Sequence, residues 1–200
     1  MTLDALAAYE NYDGPLPELV QEALSQSRRL GIAQMCLPDT GRFLQLLACH
    51  QGVGVIGETG TACGVGAAWM ASGMRPGARL VTVELDPERA GAAKHLFANR
   101  KDVTVICGDG REIIKHGPFD LLFGDGGRVD LDVCVDIMRQ GGAIVKDDLT
   151  PETAWTEEMR QKYISAKADP TRRKYLENKN LLAQEIILTR DTSVILAIKL

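Results

Sequence analysis

From residue 51 onward the chain alternates between short apolar runs and helix-like stretches. "GVGVIGE" precedes "GVGAAWMASGM", "ARLVTVEL" precedes "PERAGAAKHLFANR", and "DVTVICG" precedes "GREIIKHG". "FDLLFGD" then precedes "VDLDVCVDIMRQ", and "GGAIVKDD" precedes "PETAWTEEMRQKYIS". The short runs are β-branched or leucine-rich and apolar on both faces, as strands are between two helix layers. Repeated strand–helix alternation predicts an open parallel sheet with right-handed crossovers. The tail breaks the pattern: "LLAQEIILT" and "TSVILAIKL" are separated by "RD" alone, which predicts an antiparallel hairpin at the sheet edge. Ahead of the alternation, residues 15–30 place Leu16, Leu19, Val20, Ala23, Leu24 and Leu30 on one helical face, and "RFLQLLACH" predicts a second helix ending at His50.

No repeat, low-complexity tract or linker interrupts the 200 residues, so the chain is read as one α/β domain. Residues 1–50 form the N-terminal helices, 51–148 the cofactor-binding core, and 149–200 an acceptor-side helix region with the edge hairpin. A formal charge of −4 points to neither nucleic acid nor a membrane surface. No apolar run approaches the roughly 18 residues that span a bilayer. The acidic start, "MTLDALAAYENYDG", lacks the basic region of a secretory signal. The 5 cysteines, Cys36, Cys49, Cys63, Cys107 and Cys134, are odd in number and far apart, with no C-x-x-C pair. That pattern predicts neither a disulfide framework nor a zinc site and suits a reducing cytoplasm.

The chemistry is expected at "VIGETGTACGVGAAWMA", residues 55–71. A G-x-G-x-x-G fingerprint fails because Ala62 and Val65 occupy two of the glycine positions counted from Gly60. A P-loop fails because no G-K-[ST] follows. The spacing present is Gly60, Gly64, Gly66, with Glu58 ahead of it at the strand end. A carboxylate beside the turn repels a pyrophosphate and attracts an ammonium or sulfonium group. S-adenosylmethionine carries both cations and no phosphate. Glu84 ends the next strand, where an acid accepts hydrogen bonds from ribose hydroxyls in doubly wound folds. A nicotinamide dehydrogenase is disfavoured by Glu58. The alternative is that Glu58 is a solvated strand-end residue and the glycines merely turn the chain.

"ETGTACGVGAAWMA" followed by "PGARLVTVELDPERA" resembles the cofactor motifs of class I S-adenosylmethionine-dependent O-methyltransferases, within them the catechol and caffeoyl-CoA O-methyltransferase group. The likeness covers residues 34–148. It implies a Rossmann-like methyltransferase fold with a mostly parallel seven-stranded sheet. It also implies that Met35 and Cys36 in "QMCLPDTGRFLQLL", with Glu58, Gly60 and Gly64, border the methionine moiety. Glu84 would border the ribose, and Gly108, Asp109, Gly110 and Arg111 in "GDGRE" the adenine. Many relatives carry serine after the second glycine; this chain has Gly66. A homodimer is a further expectation.

Two more strands end in acids, Asp125 in "LLFGDGG" and Asp147 with Asp148 in "AIVKDDL". Strand C-termini surround the ligand crevice of such folds, and oxygen ligands of this kind suit Mg²⁺ or Ca²⁺. The resemblance implies a divalent metal at these places, orienting two adjacent oxygens of the acceptor, with asparagine usual where Asp148 stands. Asp125 would then be a catalytic residue serving both metal and cofactor; the alternative is that it salt-bridges the cofactor's ammonium and nothing else. The alternative is that Asp148 or Thr150 caps a helix beginning at Pro151. The family's lysine base is replaced by Arg128, which stays protonated. Lys146 would substitute as catalytic base, or is a strand-end lysine reaching solvent.

His50, His95 and His116 are scattered and read as surface or helix-end residues, and Trp69 as core. Trp155 is either an aromatic wall for the acceptor or helix packing. The basic stretch 167–180, "KADPTRRKYLENKN", is either an anion site or a solvated helix face. The function expected is O-methylation of a small hydroxylated, catechol-like acceptor with metal assistance. The alternatives are a metal-independent methyltransferase acting on another acceptor, and a cofactor-binding protein that has lost catalysis.

Overall fold

The computed structural model describes residues 5–52, 54–124, 129–163, 165 and 168–200. Three helices come first: α1 (Ala5–Glu10), α2 (Glu18–Arg29) and α3 (Pro38–His50). The strands are β1 (Val55–Thr59), β2 (Arg79–Glu84), β3 (Val103–Cys107), β4 (Phe119–Gly124), β5 (Met138–Leu149), β6 (Leu181–Ile187) and β7 (Ser193–Lys199). Between them lie α4 (Val65–Gly73), α5 (Pro87–Leu96), α6 (Leu131–Asp136), α7 (Glu157–Lys162) and α8 (Pro170–Leu176). The strands form one 7-stranded sheet in the order β3-β2-β1-β4-β5-β7-β6. β1 to β5 pair in parallel, and β7 pairs antiparallel with both β5 and β6. The expected doubly wound sheet with its terminal hairpin is therefore the fold, and β7 is the hairpin strand that joins the parallel part.

Alternate residues on the central strands feed two cores. Leu80, Leu121, Phe123 and Val145 pack with α2, α3 and α4, whereas Val81, Val83, Leu122 and Ile144 pack with Ile113 and Val135 on the opposite face. Each such buried Val, Leu, Ile or Phe contributes about 1.5–3 kcal/mol relative to leaving it in water. α4 is buried on nearly every side, from Val65 through Ala71, because α3 covers what the sheet does not. A Cβ at Gly41 would collide with the Trp69 ring, so glycine there lets the two helices approach. Trp69 is core, as expected.

Several boundaries differ from the sequence reading. Leu30 is exposed and lies just past the end of α2, where the helix no longer faces the core. α3 begins at Pro38, four residues ahead of the expected helix, since Pro fits the first helical position. "GREIIKHG" forms a 3-10 turn at Gly110–His116. α6 ends at Asp136 and β5 starts at Met138, with Gly141 at φ 78 within it and a register shift against β4. The helix expected after Pro151 splits into a 3-10 turn, Glu152–Ala154, and α7. Its second start is set by Thr156, whose hydroxyl accepts from the Met159 amide at 3.3 Å.

Candidate active site

The C-terminal ends of β1, β2 and β3 are tied together. Glu58 stands opposite Thr82 on β2 and Phe123 on β4. Its side chain is 1% exposed, so it is not the solvated strand-end residue of the alternative reading. Oε2 of Glu58 accepts from the Thr82 hydroxyl at 2.5 Å, and that hydroxyl is in turn hydrogen-bonded to Thr61. The chain then turns through left-handed conformations at Gly60 (φ 91), Ala62 (φ 47) and Gly64 (φ 92) before α4 begins. Gly60 N–H donates to the Val83 carbonyl at 2.9 Å, which pins the turn to β2.

Glu84 closes β2 opposite Cys107 of β3. Its Oε2 accepts from the Ala62 amide at 2.7 Å and its Oε1 from the Asp86 amide at 2.9 Å. A carboxylate offers about four acceptor sites, so both oxygens retain capacity for a pair of hydroxyls. Just past β3, Gly108 N–H donates to the Glu84 carbonyl at 2.8 Å. Asp109 follows, accepting from the Arg111 amide at 2.9 Å and from the Arg111 guanidinium at 2.8 and 3.1 Å. Arg111 is thus engaged with Asp109, and Gly110 begins the 3-10 turn between them.

At the start of α4, a Cβ built at Gly66 would lie 2.5 Å from Glu58 Oε1, 3.3 Å from the Phe123 ring and 3.6 Å from Cys36 Cβ. Gly66, Glu58 and Cys36 therefore meet at one point, with partly buried Met35 beside Cys36. Cys36 is held from behind, because its carbonyl accepts from the Tyr9 hydroxyl at 3.0 Å, and the Tyr9 hydroxyl oxygen accepts from Trp69 Nε1 at 2.9 Å. Burial, first among the causes, pushes the Tyr9 phenol far up, which keeps it a neutral donor. Cys63 is buried within the turn, and its thiol is likewise pushed up by burial, so it packs rather than reacts. A buried carboxylate facing the gap left by a missing Cβ fits a cationic group, and a second acid with spare acceptor sites fits a ribose.

Across the crevice, Gly124 ends β4 opposite Thr59 of β1 and Lys146 of β5. Asp125 and Arg128 lie outside the described residues. Lys146 Nζ stands 3.7 Å from Asp147 Oδ1, so it is not simply a lysine reaching solvent. Asp147 is buried and Asp148 is exposed at φ 58. The two aspartates lie in a bulge, since Lys146 pairs with Ile195 but Leu149 with Ser193. Bulges of this kind re-aim side chains beside active sites. Among the described residues no three His, Cys, Asp or Glu gather into a metal-binding group. The capping alternative fails for both candidates, because the turn after the bulge is preceded by Pro151 and has no side-chain cap.

Trp155 is 6% exposed, donates to the Thr150 carbonyl at 3.0 Å and packs 5.8 Å from the Tyr163 ring. It is packing rather than an open aromatic wall. The basic stretch is corrected at its centre: Arg172 is buried between Asp169 and Glu185, while Arg173 pairs with Glu177 at the surface. His50, His95 and His116 all fall in the last turns of their helices.

Sequence reasoning missed Ala62, Thr82 and Leu85. Leu85 is 71% exposed directly after Glu84, an apolar residue left open just past the strand-end acid. Its position after the strand-end acid was the available signal. Nothing in the sequence marked Thr82 as the partner of Glu58, because that contact depends on strand register.

The sheet order gives a Rossmann-like domain with two braced acids, Glu58 and Glu84, at the ends of neighbouring strands. Residues 58–149 match a family model described as a methyltransferase domain. A Mycobacterium tuberculosis protein named as an O-methyltransferase is 31% identical over 145 residues, which cover 66% of this chain and 65% of that protein. The chain thus matches just under two thirds of that relative's length. An O-methyltransferase from Bacillus cereus, solved in complex with S-adenosylhomocysteine, superposes with a TM-score of 0.73 at 23% identity, covering 98% of this chain and 96% of that one. An O-methyltransferase of Streptomyces achromogenes involved in tomaymycin synthesis, solved with S-adenosylmethionine, gives 0.75 at 21% identity over 96% and 94%. The chain has the Rossmann-like methyltransferase fold, and its residues 58–149 are similar to a methyltransferase domain. No helix among the described residues is long and apolar enough to cross a membrane.

Proposed function

We propose that this protein transfers a methyl group from S-adenosylmethionine to an oxygen of a small, catechol-like acceptor, with a divalent metal held by Asp125, Asp147 and Asp148. The observation that carries the cofactor assignment is the meeting of Glu58, Gly66 and Cys36 one strand away from Glu84. The related S-adenosylmethionine and S-adenosylhomocysteine complexes support it. When bound, the cofactor supplies the methyl group. Glu58 would face its cationic end, Glu84 would accept from the ribose hydroxyls, and the turn would exclude water from the reacting atoms. Catalysis of this kind is mostly positioning.

When bound, a divalent ion would lower the pKa of the acceptor hydroxyl. Asp147 and Asp148 supply hard oxygen donors at the end of β5, a donor set that suits Mg²⁺ or Ca²⁺. The acceptor oxygen must lose its proton as the new bond forms, and Lys146 stands at that end of the crevice. Lys146 Nζ, 3.7 Å from Asp147 Oδ1, is the group placed to receive it. The Lys146–Asp147 contact is also what favours a second reading, metal-independent transfer, because the ammonium already balances that carboxylate.

The test is S-adenosylhomocysteine release with a panel of catechols, with and without excess chelator. Turnover abolished by chelator, with cofactor affinity retained, supports the metal reading. Full turnover in chelator selects metal-independent transfer, and cofactor binding without turnover on any acceptor leaves a binding protein. A cytoplasmic setting, a small-molecule acceptor rather than nucleic acid or membrane, and a homodimer complete the proposal.

A further inference from the structure

We infer that Arg172, far from the cofactor turn in sequence, is a positioning residue for the acceptor side of the site. It holds the bulge of Asp147 and Asp148 in place through the Thr150 carbonyl. Arg172 is 1% exposed. Its Nε and Nη2 donate to Glu185 Oε2 and Oε1 at 2.9 and 2.8 Å, and its Nη1 donates to Asp169 Oδ2 at 2.6 Å. The second hydrogen of Nη2 goes to the Thr150 carbonyl at 2.6 Å. The guanidinium fork is planar and rigid, so once the two carboxylates orient it, the direction of that last bond is set.

The bond lands where the chain most needs fixing. Asp148 is in a left-handed conformation that L side chains disfavour, and the β5–β7 register slips across it. Both peptide carbonyls beyond the slip are clamped. Ser193, whose hydroxyl lies 2.6 Å from Glu185 Oε1, is 3.3 Å from the Leu149 carbonyl. The Thr150 carbonyl accepts from Arg172 and from Trp155 Nε1, and the Arg172 guanidinium lies 5.8 Å from the Trp155 ring. Glu185 and Ser193 come from the terminal hairpin and Asp169 caps α8, so these late elements hold the strand end that faces the crevice. A buried ion pair is weak evidence for stability, since desolvation offsets the attraction. Geometry is what this one supplies.

The inference rests on the acceptor-side reading above, and the experiment separates the two. Arg172→Met removes the cluster's cation, Arg172→Lys keeps a charge without the fork, and Trp155→Phe removes one clamp while sparing the ion pairs. Each variant is compared with wild type for S-adenosylhomocysteine affinity, Mn²⁺ affinity of the S-adenosylhomocysteine-loaded protein and amide exchange, and the Arg172 variants also for acrylamide quenching of Trp155. The expected result is S-adenosylhomocysteine affinity within twofold, Mn²⁺ affinity weakened at least tenfold by both Arg172 variants, and faster exchange confined to residues 147–155. Trp155→Phe should show a smaller change in the same segment.

Cofactor and Mn²⁺ affinity falling together, exchange rising throughout, Mn²⁺ affinity unchanged despite local loosening, or failure of both Arg172 variants to fold would each overturn the inference. Wild-type protein that neither binds Mn²⁺ nor methylates a catechol sinks the acceptor-side reading alone. Arg172 is then judged by exchange and quenching: loosening confined to 147–155 upholds its positioning role, and unchanged exchange removes it.

Discussion

The amide of Ala62 donates to Oε2 of Glu84 across 2.7 Å, so the acid that closes β2 also braces the turn that follows β1. One carboxylate thereby braces the turn and, in the function proposed above, would also accept from the ribose. Removing it has two effects at once.

Glu84→Ala is expected to weaken S-adenosylmethionine binding by about 1–3 kcal/mol, the cost of leaving buried polar partners unmade. Glu84→Gln keeps one carbonyl acceptor and should lose less. Titration calorimetry checks both, and equal affinity for Glu84→Ala and wild type would remove Glu84 from the site.

Ala62 adopts φ 47, where a residue with a Cβ costs about 1–2 kcal/mol. Ala62→Gly relieves that and regains unfolded-chain freedom worth about 0.5–1 kcal/mol, so its stability should match or slightly exceed wild type. Ala62→Val should destabilise, because a β-branched residue tolerates this conformation poorly. Urea unfolding at neutral pH measures the pair, and a fully stable Ala62→Val contradicts the turn geometry.

Gly66→Ser restores the residue many relatives carry, yet here it should weaken cofactor binding about tenfold, or about 1.4 kcal/mol. A Cβ would stand 2.5 Å from Glu58 Oε1 and force the carboxylate away from its seat against Thr82. Tighter binding by Gly66→Ser would show that the serine contact outweighs the displacement.

At Asp148 the two roles separate by backbone conformation. Asp148→Gly suits φ 58 and should leave stability unchanged or slightly higher, while chelator-sensitive turnover on a catechol falls. Thermal melting beside the turnover assay decides this, and lost stability with normal specific activity would assign Asp148 a purely structural part.

Acid lability should trace partly to Asp102. Hydrogen bonds from Arg100 at 2.8 and 2.7 Å hold its carboxyl below the ordinary 3.8. A depressed folded-state pKa gives stability that is present above the unfolded value and lost as pH falls through the folded one. Asp102→Asn should therefore lose less stability than wild type between pH 7 and pH 3 in urea melts. Parallel losses in both proteins would count against the pair.

The sequence by itself determined the strand–helix alternation, the terminal hairpin and the strand-end positions of Glu58, Glu84, Asp147 and Asp148. Apolar periodicity and strand-end polarity are local properties, and each is written within a few neighbouring residues. The tertiary structure alone decided the rest. Strand register placed Thr82 against Glu58, and it put Gly66 where its missing Cβ leaves room for that carboxylate. The helix expected after Pro151 is interrupted at Trp155, and the Thr150 carbonyl ahead of it accepts from nearby Trp155 and from Arg172, which lies 22 residues away in the chain. Arg172 looked like one basic residue in a stretch read as either an anion site or a solvated face. It became a buried clamp because Glu185 reaches it from a strand beyond, and burial and pairing at such separations are fixed by packing rather than by sequence pattern.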